Sequence, residues 1–262
     1  MTTRVLFISD LHGGSLYSVC HPEIALEVNR AGGPAVYEAN ARQRKLREFW
    51  EIMLDEVGRV DACVVLGDST DGSMIRSRGY ELWTPNIHQQ ISCAVDLLKE
   101  VPTPAYLGVD GSPYHTGQNP SWDLAVIDAL DGRFGTELAL NVEDKRLHLL
   151  HWTGFSRSAA GQHTRSSNEN VWSAANEPYY GHFDMTVRGH THIFDRTVDL
   201  YGDKVTVPGW KLRDPFMQRG GLSGQPPQVG YVLMTFRHGM DIDLQKHVWV
   251  GTKEDHFEEV YL

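Results

Sequence analysis

Four short apolar segments of this chain have the character of buried β-strands, and each is followed by residues that can bind a metal ion. The segments are residues 5–9, 63–66, 147–150 and 185–187. The residues that follow them are, in the same order, Asp10-Leu11-His12, Gly67-Asp68, His151 and Gly189-His190-Thr191-His192. In open α/β sheets, ligands and catalytic groups gather at the carboxyl ends of the strands. The four segments therefore predict an α/β fold with a polar site at one sheet edge.

The spacing within two of these motifs brings pairs of ligands together. Side chains two residues apart in an extended backbone project to the same side. Asp10 and His12 are therefore expected to project to one side of the backbone, and His190 and His192 are expected to reach one metal centre. Gly189 permits a tight exit from its strand, where a residue with a Cβ would be strained. A lone His-x-His pair is also typical of solvated histidines in a turn, but the other three motifs favour a metal site.

The motif order Asp-x-His, Gly-Asp-x-x-Asp, His and Gly-His-x-His resembles that of the calcineurin-like metallophosphoesterase superfamily. The resemblance runs from Val5 to about Val250, although a small share of the positions carries it. It implies an α/β/β/α sandwich of four layers with mixed central sheets, and a metal-dependent hydrolase of phosphate esters. It also implies two metal sites bridged by Asp68. The first would be held by Asp10, His12 and His192, and the second by His151 and His190.

One motif departs from the pattern of the superfamily. After the third core strand the superfamily usually has Gly-Asn-His followed by Asp or Glu, where the Asn binds the second metal and the His assists the leaving group. Residues 105–117 contain no Asn, and Gly111-Ser112-Pro113-Tyr114-His115 is similar to a Gly-Thr-x-x-His variant of phage-encoded relatives. We therefore expect His115 in the site, either as the catalytic proton donor or as a replacement ligand. Asp110 is an alternative for the ligand role. Alternatively, His115 has no role in the site and is a histidine in a turn near Pro113.

The cofactors implied by the resemblance are two divalent metal ions. Mn²⁺ is favoured, and Fe, Zn, Ni and Mg are alternatives, because mixtures of Asp and His suit all of them. Such a pair activates water by lowering its pKa from about 15.7 toward neutrality. Asp71, three residues after the bridging Asp68, is expected to orient a neighbouring group rather than to bind metal. Lys211 and Arg213 follow a predicted strand end and are expected to bind the phosphate of the substrate.

The predicted ligands run from residue 10 to residue 192, so we expect a single domain over residues 1–262. Two stretches without a clear period, about 13–40 and 152–183, are expected to be loop insertions near the site. Between and after them, amphipathic helices are predicted over 42–57, from Thr84-Pro85 to Leu98, and over 122–130. Three strand pairs are predicted at 137–141 with 145–151, 197–200 with 204–207, and 231–236 with 242–250.

The composition is typical of a soluble globular protein, with 41% hydrophobic and 22% charged residues. No apolar run approaches the ~20 residues that a membrane helix requires, and the run at 5–9 is too short for a signal-peptide core. The three cysteines form no Cys-x-x-Cys motif. We therefore expect a cytoplasmic protein with free thiols and no membrane partner.

The formal charge of −10 argues against a broad duplex-DNA surface, because such surfaces are rich in Lys and Arg. The expected substrate is a small-molecule phosphate ester or a nucleotide. A structure-specific nuclease is an alternative, supported by the long loops and opposed by the acidic charge. A non-catalytic interaction module on the same fold is another, opposed by the six expected ligands that remain beside the one rearranged motif. The oligomeric state leaves no readable pattern in the sequence.

Overall fold

The structure is a computed structural model, and it describes residues 2–26, 35–74, 78–117, 121–151, 159–215 and 228–250. A six-stranded mixed sheet, called the first sheet, has the strand order β13-β12-β1-β4-β5-β6. Strands β1, β4, β5 and β6 run parallel, β12 pairs antiparallel with β1, and β13 pairs antiparallel with β12. The strand bounds are β1 Thr2–Ile8, β4 Ala62–Val65, β5 Tyr106–Val109, β6 Arg133–Gly135, β12 Gln228–Arg237 and β13 Asp243–Val250.

A five-stranded mixed sheet, called the second sheet, has the strand order β10-β11-β9-β8-β7. Its central pairs, β8 with β9 and β9 with β11, are parallel, and its outer pairs are antiparallel. The strand bounds are β7 Leu138–Val142, β8 Lys145–Leu150, β9 Met185–Arg188, β10 Asp195–Asp199 and β11 Gly202–Thr206. A separate hairpin joins β2 Glu23–Leu26 to β3 Ala35–Glu38.

Five helices complete the described part of the chain: α1 Ala41–Val57, α2 Ile87–Lys99, α3 Pro113–Thr116, α4 Trp122–Asp128 and α5 Ala159–Tyr180. Helix α1 begins at a capping box, in which the side chain of Asn40 accepts from the amide of Gln43 and the Gln43 side chain accepts from the amide of Asn40. Helix α2 begins later than predicted. Its N-cap is Asn86, whose side chain accepts from the amide of His88, so Thr84 and Pro85 precede the helix.

Strand β1 shows how the layers form. Its side chains alternate, so that Val5 and Phe7 lie in the core between the two sheets while Leu6 and Ile8 lie in the core beneath the helices. A strand buried on both faces requires a continuous apolar run, as the sequence has here. The between-sheet core also contains Val64 and Leu66 from the first sheet and Leu147, Leu149, Val187 and Val205 from the second.

The layers stack in the order helix, sheet, sheet, helix. Helices α1, α2 and α4 pack on the outer face of the first sheet through apolar residues such as Trp50, Leu97 and Ile127. Helix α5 lies on the outer face of the second sheet, against β10 and β11. The predicted α/β/β/α sandwich with mixed sheets is therefore confirmed, and so are the three predicted strand pairs.

The two predicted loop insertions are wrong in part. Residues 159–180 of the second one form α5, and 152–158 lie outside the described residues. The helix shows no apolar period because polar contacts dock it: Ser166 donates to Asp195, and Asn170 donates to the carbonyls of Thr197 and Gly202. In the first insertion, β2 and β3 form a hairpin, and Ser15, Ser18, Val19 and Cys20 are buried.

The three cysteines are free thiols, and all of them are buried. Among the residues that the structure describes, no helix is both long enough and apolar enough to span a membrane.

Two valines of the second sheet allow a matched test of the between-sheet core. Val205 on β11 is fully buried, whereas Val198 on β10 is 65% exposed. Val205→Ala removes two buried methyl groups and is expected to lower the free energy of unfolding by about 2 kcal/mol. Val198→Ala is expected to change it by less than about 0.5 kcal/mol. Urea denaturation measures both values, and equal losses would contradict the proposed core.

Candidate metal centre

All six predicted metal ligands lie together at the sheet edge where the strands end, and His115 lies with them. The nitrogen and carboxylate oxygen atoms of these residues form three overlapping groups, and within each group the atoms lie within 4.8 Å of one another. The groups are Asp10 with His12 and His192, His12 with Asp68 and His115, and Asp68 with His151 and His190. Asp110 belongs to none of them among the described residues and instead accepts from Ser121.

The backbone of this edge is left-handed at five of the ligands. Asp10, His12, Asp68, His190 and His192 have φ angles of 55°, 48°, 51°, 77° and 53°. Such φ values cost a residue with a Cβ about 1–2 kcal/mol relative to the right-handed region. The extended backbone that the sequence suggested is therefore not what brings the ligands together. They converge because β1, β4 and β9 are each followed by a tight turn with left-handed residues, which His151 after β8 does not share.

Backbone hydrogen bonds hold these turns against one another. The amide of Asp10 donates to Gly67 and that of His12 to Asp68, at 3.1 and 3.0 Å. The amide of Gly13 then donates to Ser69 at 2.8 Å. The exits of β1 and β4 are thus paired beyond the ends of both strands, and the surroundings offset the strain of the ligand backbone.

Gly189 is needed for space rather than for its backbone angles. A Cβ at this position would lie 1.8 Å from Oγ of Ser9 and 3.0 Å from Oδ2 of Asp10. Since no side chain separates the two turns, the amide of His190 donates to Oδ2 of Asp10 at 2.9 Å. This contact joins the last ligand motif of the chain to the first.

In the group of Asp10, His12 and His192, one ring nitrogen of each histidine and one oxygen of Asp10 lie close together. Nδ1 of His12 donates to Oδ1 of Asp71 at 2.9 Å, because a carboxylate only accepts. Nε2 of His12 therefore carries a lone pair, and it lies 3.2 Å from Nε2 of His192. Oδ1 of Asp10 is buried, accepts no hydrogen bond from any described residue, and lies 3.3 Å from the same His192 nitrogen. A cation at this point would satisfy all three residues.

The second group has the same character. Nδ1 of His151 donates to the carbonyl of Leu66, so in the neutral ring Nε2 carries the lone pair. That atom lies 3.0 Å from Oδ2 of Asp68 and 3.2 Å from Nδ1 of His190. Burial alone would lower the pKa of His151, but the carboxylate of Asp68 raises it to about 10. A divalent cation at this place would bind the neutral form of the ring.

Charges within the site keep its carboxylates ionised despite their burial. Burial would raise the pKa of Asp68, but the nearby His151 and His115 lower it well below its ordinary value. The same opposition lowers the pKa of Asp10, where His192 and His12 act against burial. Burial and the neighbouring His151 lower the pKa of His190 to about 3, which leaves its ring neutral. Ionised carboxylates and neutral imidazoles are the forms that bind metals.

Ser112 and Asp123 hold Asp68 in place, and sequence reasoning missed both roles. The amide of Ser112 donates to Oδ1 of Asp68 at 2.7 Å, and its hydroxyl lies 3.1 Å from both oxygens. The buried carboxylate of Asp123 accepts from the amides of Asp68, Ser69 and Gly111 at 3.2, 2.8 and 3.0 Å. Burial and the nearby Asp68 raise the pKa of Asp123 to about 6. The signal available in the sequence was an acidic residue in the first turn of α4.

His115 lies at the mouth of the site. Nδ1 of His115 donates to the carbonyl of Asp71 at 2.8 Å, and its ring packs edge-on against that of His12. Its side chain is 14% exposed, whereas those of Asp68 and His12 are 2% exposed. Burial lowers the pKa of His115 to about 4, against the opposing effect of Asp68. The placement agrees with a contact to substrate and with a contact to metal.

Lys211 and Arg213, predicted to bind phosphate, occupy different surroundings. Lys211 is buried, and its ammonium group forms ion pairs of 2.7 Å with both Asp71 and Asp214. A contact between Lys211 and a substrate phosphate would require both pairs to open, so the structure favours a positioning role for this residue. Arg213 is half-buried, and its Nε makes no hydrogen bond with the described residues.

Comparisons with known proteins give likenesses of fold at very low identity. No protein-family profile matches the chain, and no curated protein sequence matches it. A solved archaeal phosphodiesterase has 11% identity and a TM-score of 0.49, with 94% of this chain and 100% of that chain covered.

Two further solved structures show the same pattern. The zinc complex of Vps29 from Entamoeba histolytica has 12% identity and a TM-score of 0.45, with 94% of this chain and 99% of that chain covered. A predicted phosphoesterase from Streptococcus pneumoniae has 10% identity and a TM-score of 0.41, with the same coverage. Structural likenesses with such low identities and TM-scores carry no information about the activity of this chain.

Asp123→Asn tests the support beneath Asp68. The amide side chain has one acceptor oxygen in place of two, so at least one of the three buried amides loses its partner. The free energy of unfolding is expected to fall by about 1–3 kcal/mol. Asp128→Asn is the matched control, because Asp128 is exposed on the same helix. Chemical denaturation compares the two variants, and equal stabilities would contradict the assigned role of Asp123.

Proposed function

We propose that this chain is a metal-dependent hydrolase of phosphate esters that uses a dinuclear divalent metal centre. The observation that carries the proposal is the adjacency of two ligand groups, Asp10 with His12 and His192, and Asp68 with His151 and His190. Asp68 links them, because it also lies in a group with His12. Each group combines carboxylate with imidazole, the ligand set of borderline divalent ions. Mn²⁺ is the favoured metal, and Fe, Zn, Ni and Mg suit the same ligands.

The residues present fit two cations. Asp10, His12 and His192 would hold the first, His151 and His190 the second, and Asp68 would contact both. Cations there would supply a water of lowered pKa and would offset the negative charge of the phosphate. Support comes from the buried oxygen of Asp10 that accepts no hydrogen bond from the described residues and from the lone pairs of His12 and His151.

His115 is proposed as the proton donor to the leaving group. Its Nδ1 is fixed by the carbonyl of Asp71, which leaves Nε2 as the atom that would carry the transferred proton. A pKa near 4 keeps the ring neutral at pH 7 in the free protein. Proton donation therefore depends on the negative charge of a bound phosphate, which raises the pKa of a neighbouring imidazole.

The proposed substrate is a small phosphate ester or a nucleotide. The formal charge of −10 opposes a long nucleic acid, whose binding depends on many Lys and Arg contacts to phosphate. A compact substrate needs only the local charge of the metal centre, which would attract one phosphate group despite the acidic surface.

Metal removal and Asp68→Ala test the proposed activity. Metal-stripped protein is expected to hydrolyse neither an aryl phosphodiester nor an aryl phosphomonoester until Mn²⁺ is added. Asp68→Ala and His190→Ala are expected to abolish that turnover while cooperative unfolding is kept, because each removes a ligand of the second ion. Asp128→Ala, at an exposed position, controls for the substitution. Activity without metal, or near-normal activity of Asp68→Ala, would refute the proposal.

His115→Gln separates the two roles of this histidine. If His115 is the proton donor, His115→Gln should lower kcat by about 10²–10⁴-fold for esters with a poor alkyl leaving group. It should lower kcat little for nitrophenyl esters, because nitrophenolate leaves without a proton. Rates for matched nitrophenyl and alkyl diesters measure the difference, with exposed His88→Gln as the control. Equal losses on both esters, together with a lost metal ion, would make His115 a ligand instead.

A further inference from the structure

We propose that Lys211 is a positioning residue for the first metal site, a role that rests on the proposed dinuclear centre. In this proposal Lys211 contacts neither metal nor substrate. It fixes the carboxylate of Asp71, which in turn fixes the ring of His12, and so it sets the metal affinity of the group Asp10, His12 and His192.

The first step of the argument is the burial of the charges. Lys211, Asp71 and Asp214 are each at most 2% exposed, and Nζ of Lys211 lies 2.7 Å from an oxygen of both carboxylates. A buried lysine held between two buried carboxylates has its ammonium group confined by both of them. Asp71 and Asp214 therefore fix the position of Nζ, and Nζ fixes the position of the Asp71 oxygen.

The second step is the sharing of a single atom. Oδ1 of Asp71 accepts from Nζ of Lys211 at 2.7 Å and from Nδ1 of His12 at 2.9 Å. A carboxylate that accepts from the far nitrogen of a metal-binding histidine sets the tautomer and the orientation of its ring. The lysine thus acts on the metal-facing Nε2 of His12 through one intervening oxygen.

The backbone of the Lys211 segment reaches His12 by a second route. Lys211 pairs with Ser18 in an isolated antiparallel bridge, and the hydroxyl of Ser18 donates to the carbonyl of His12 at 2.8 Å. The flanking amide of Leu212 donates to Tyr17 at 2.8 Å. One segment of chain therefore holds both the imidazole and the main chain of this ligand.

The residues of the second proposed metal site are held in place by other groups. Nδ1 of His151 donates to the carbonyl of Leu66, a backbone group of the first sheet, and Asp68 is held by Ser112 and Asp123. None of the hydrogen bonds described for His151 or Asp68 involves Lys211. Loss of Lys211 should therefore weaken one metal site and spare the other.

Lys204 provides a matched control for the burial of a lysine. It is fully buried in β11 and pairs with Glu169 of α5, on the outer face of the second sheet. Replacing it with Met removes a buried lysine from an ion pair, as Lys211→Met does, but at a place where it pairs with none of the predicted ligands. A loss of metal binding that follows only from the removal of a buried lysine should appear in both variants.

Calorimetric titration of metal-stripped protein with Mn²⁺ tests the proposal. The wild-type protein is expected to bind two ions. Lys211→Met is expected to bind one ion normally and the other about 10–100-fold more weakly. Lys204→Met is expected to bind both as the wild type does. A wild-type isotherm for Lys211→Met, or the same loss in Lys204→Met, would overturn the proposal.

A spectroscopic readout separates positioning from general destabilisation. The Nδ1 proton of His12, hydrogen-bonded to Asp71, should give a downfield NMR signal that shifts or broadens in Lys211→Met and persists in Lys204→Met. If Lys211→Met does not fold, Lys211→Gln takes its place, because its shorter and uncharged side chain cannot hold both Asp71 and Asp214 as the ammonium group does. Unchanged first-site affinity and an unchanged His12 signal in that variant would overturn the role of Lys211.

Failure of this proposal differs from failure of the proposed function. A wild-type protein that binds no Mn²⁺, or that binds it without hydrolysing any phosphate ester, would remove the dinuclear hydrolase itself. A wild-type protein that binds two ions and hydrolyses esters, together with a Lys211→Met variant that binds both ions equally well, would remove only the assignment of Lys211.

Discussion

The pairing of the exits of β1 and β4 is the constraint on which the rest of the site depends. Three successive backbone hydrogen bonds join residues 10–13 to residues 67–69 after both strands have ended. They hold Asp10, His12 and Asp68 in left-handed conformations that an isolated loop would leave. The parallel register of the strands sets where these turns meet, and the two apolar cores set the register. Packing far from this edge therefore determines where the predicted ligands lie.

Much of the fold, and which residues meet at the candidate site, could be predicted because the informative signals are local. The apolar run of β1 predicts a strand buried on both faces, and the residues after each such run predict the polar edge. Helix α5 could not be predicted in this way. It docks through Ser166, Asn170 and other polar side chains, so hydrophobic periodicity carries no trace of it.

In the candidate site, too, some residues have a local signal in the sequence and others have none. His12 and His151 were identifiable from motifs, but the groups that orient them lie far away in sequence. Asp71 is 59 residues from His12, and the Lys211 that pairs with it is 140 residues further along the chain. No local pattern links such residues, and a lysine after a strand end looks the same whether it is exposed or buried. The predicted phosphate contact of Lys211 reflects that ambiguity, which only the tertiary structure resolves.

The left-handed backbone at the predicted ligands has a consequence for substitutions at these positions. Asp10, His12 and Asp68 each have a positive φ angle, which β-branched residues rarely adopt. A β-branched replacement would therefore strain the turn as well as remove the side chain, whereas Asn, which tolerates a positive φ, would alter mainly the side chain.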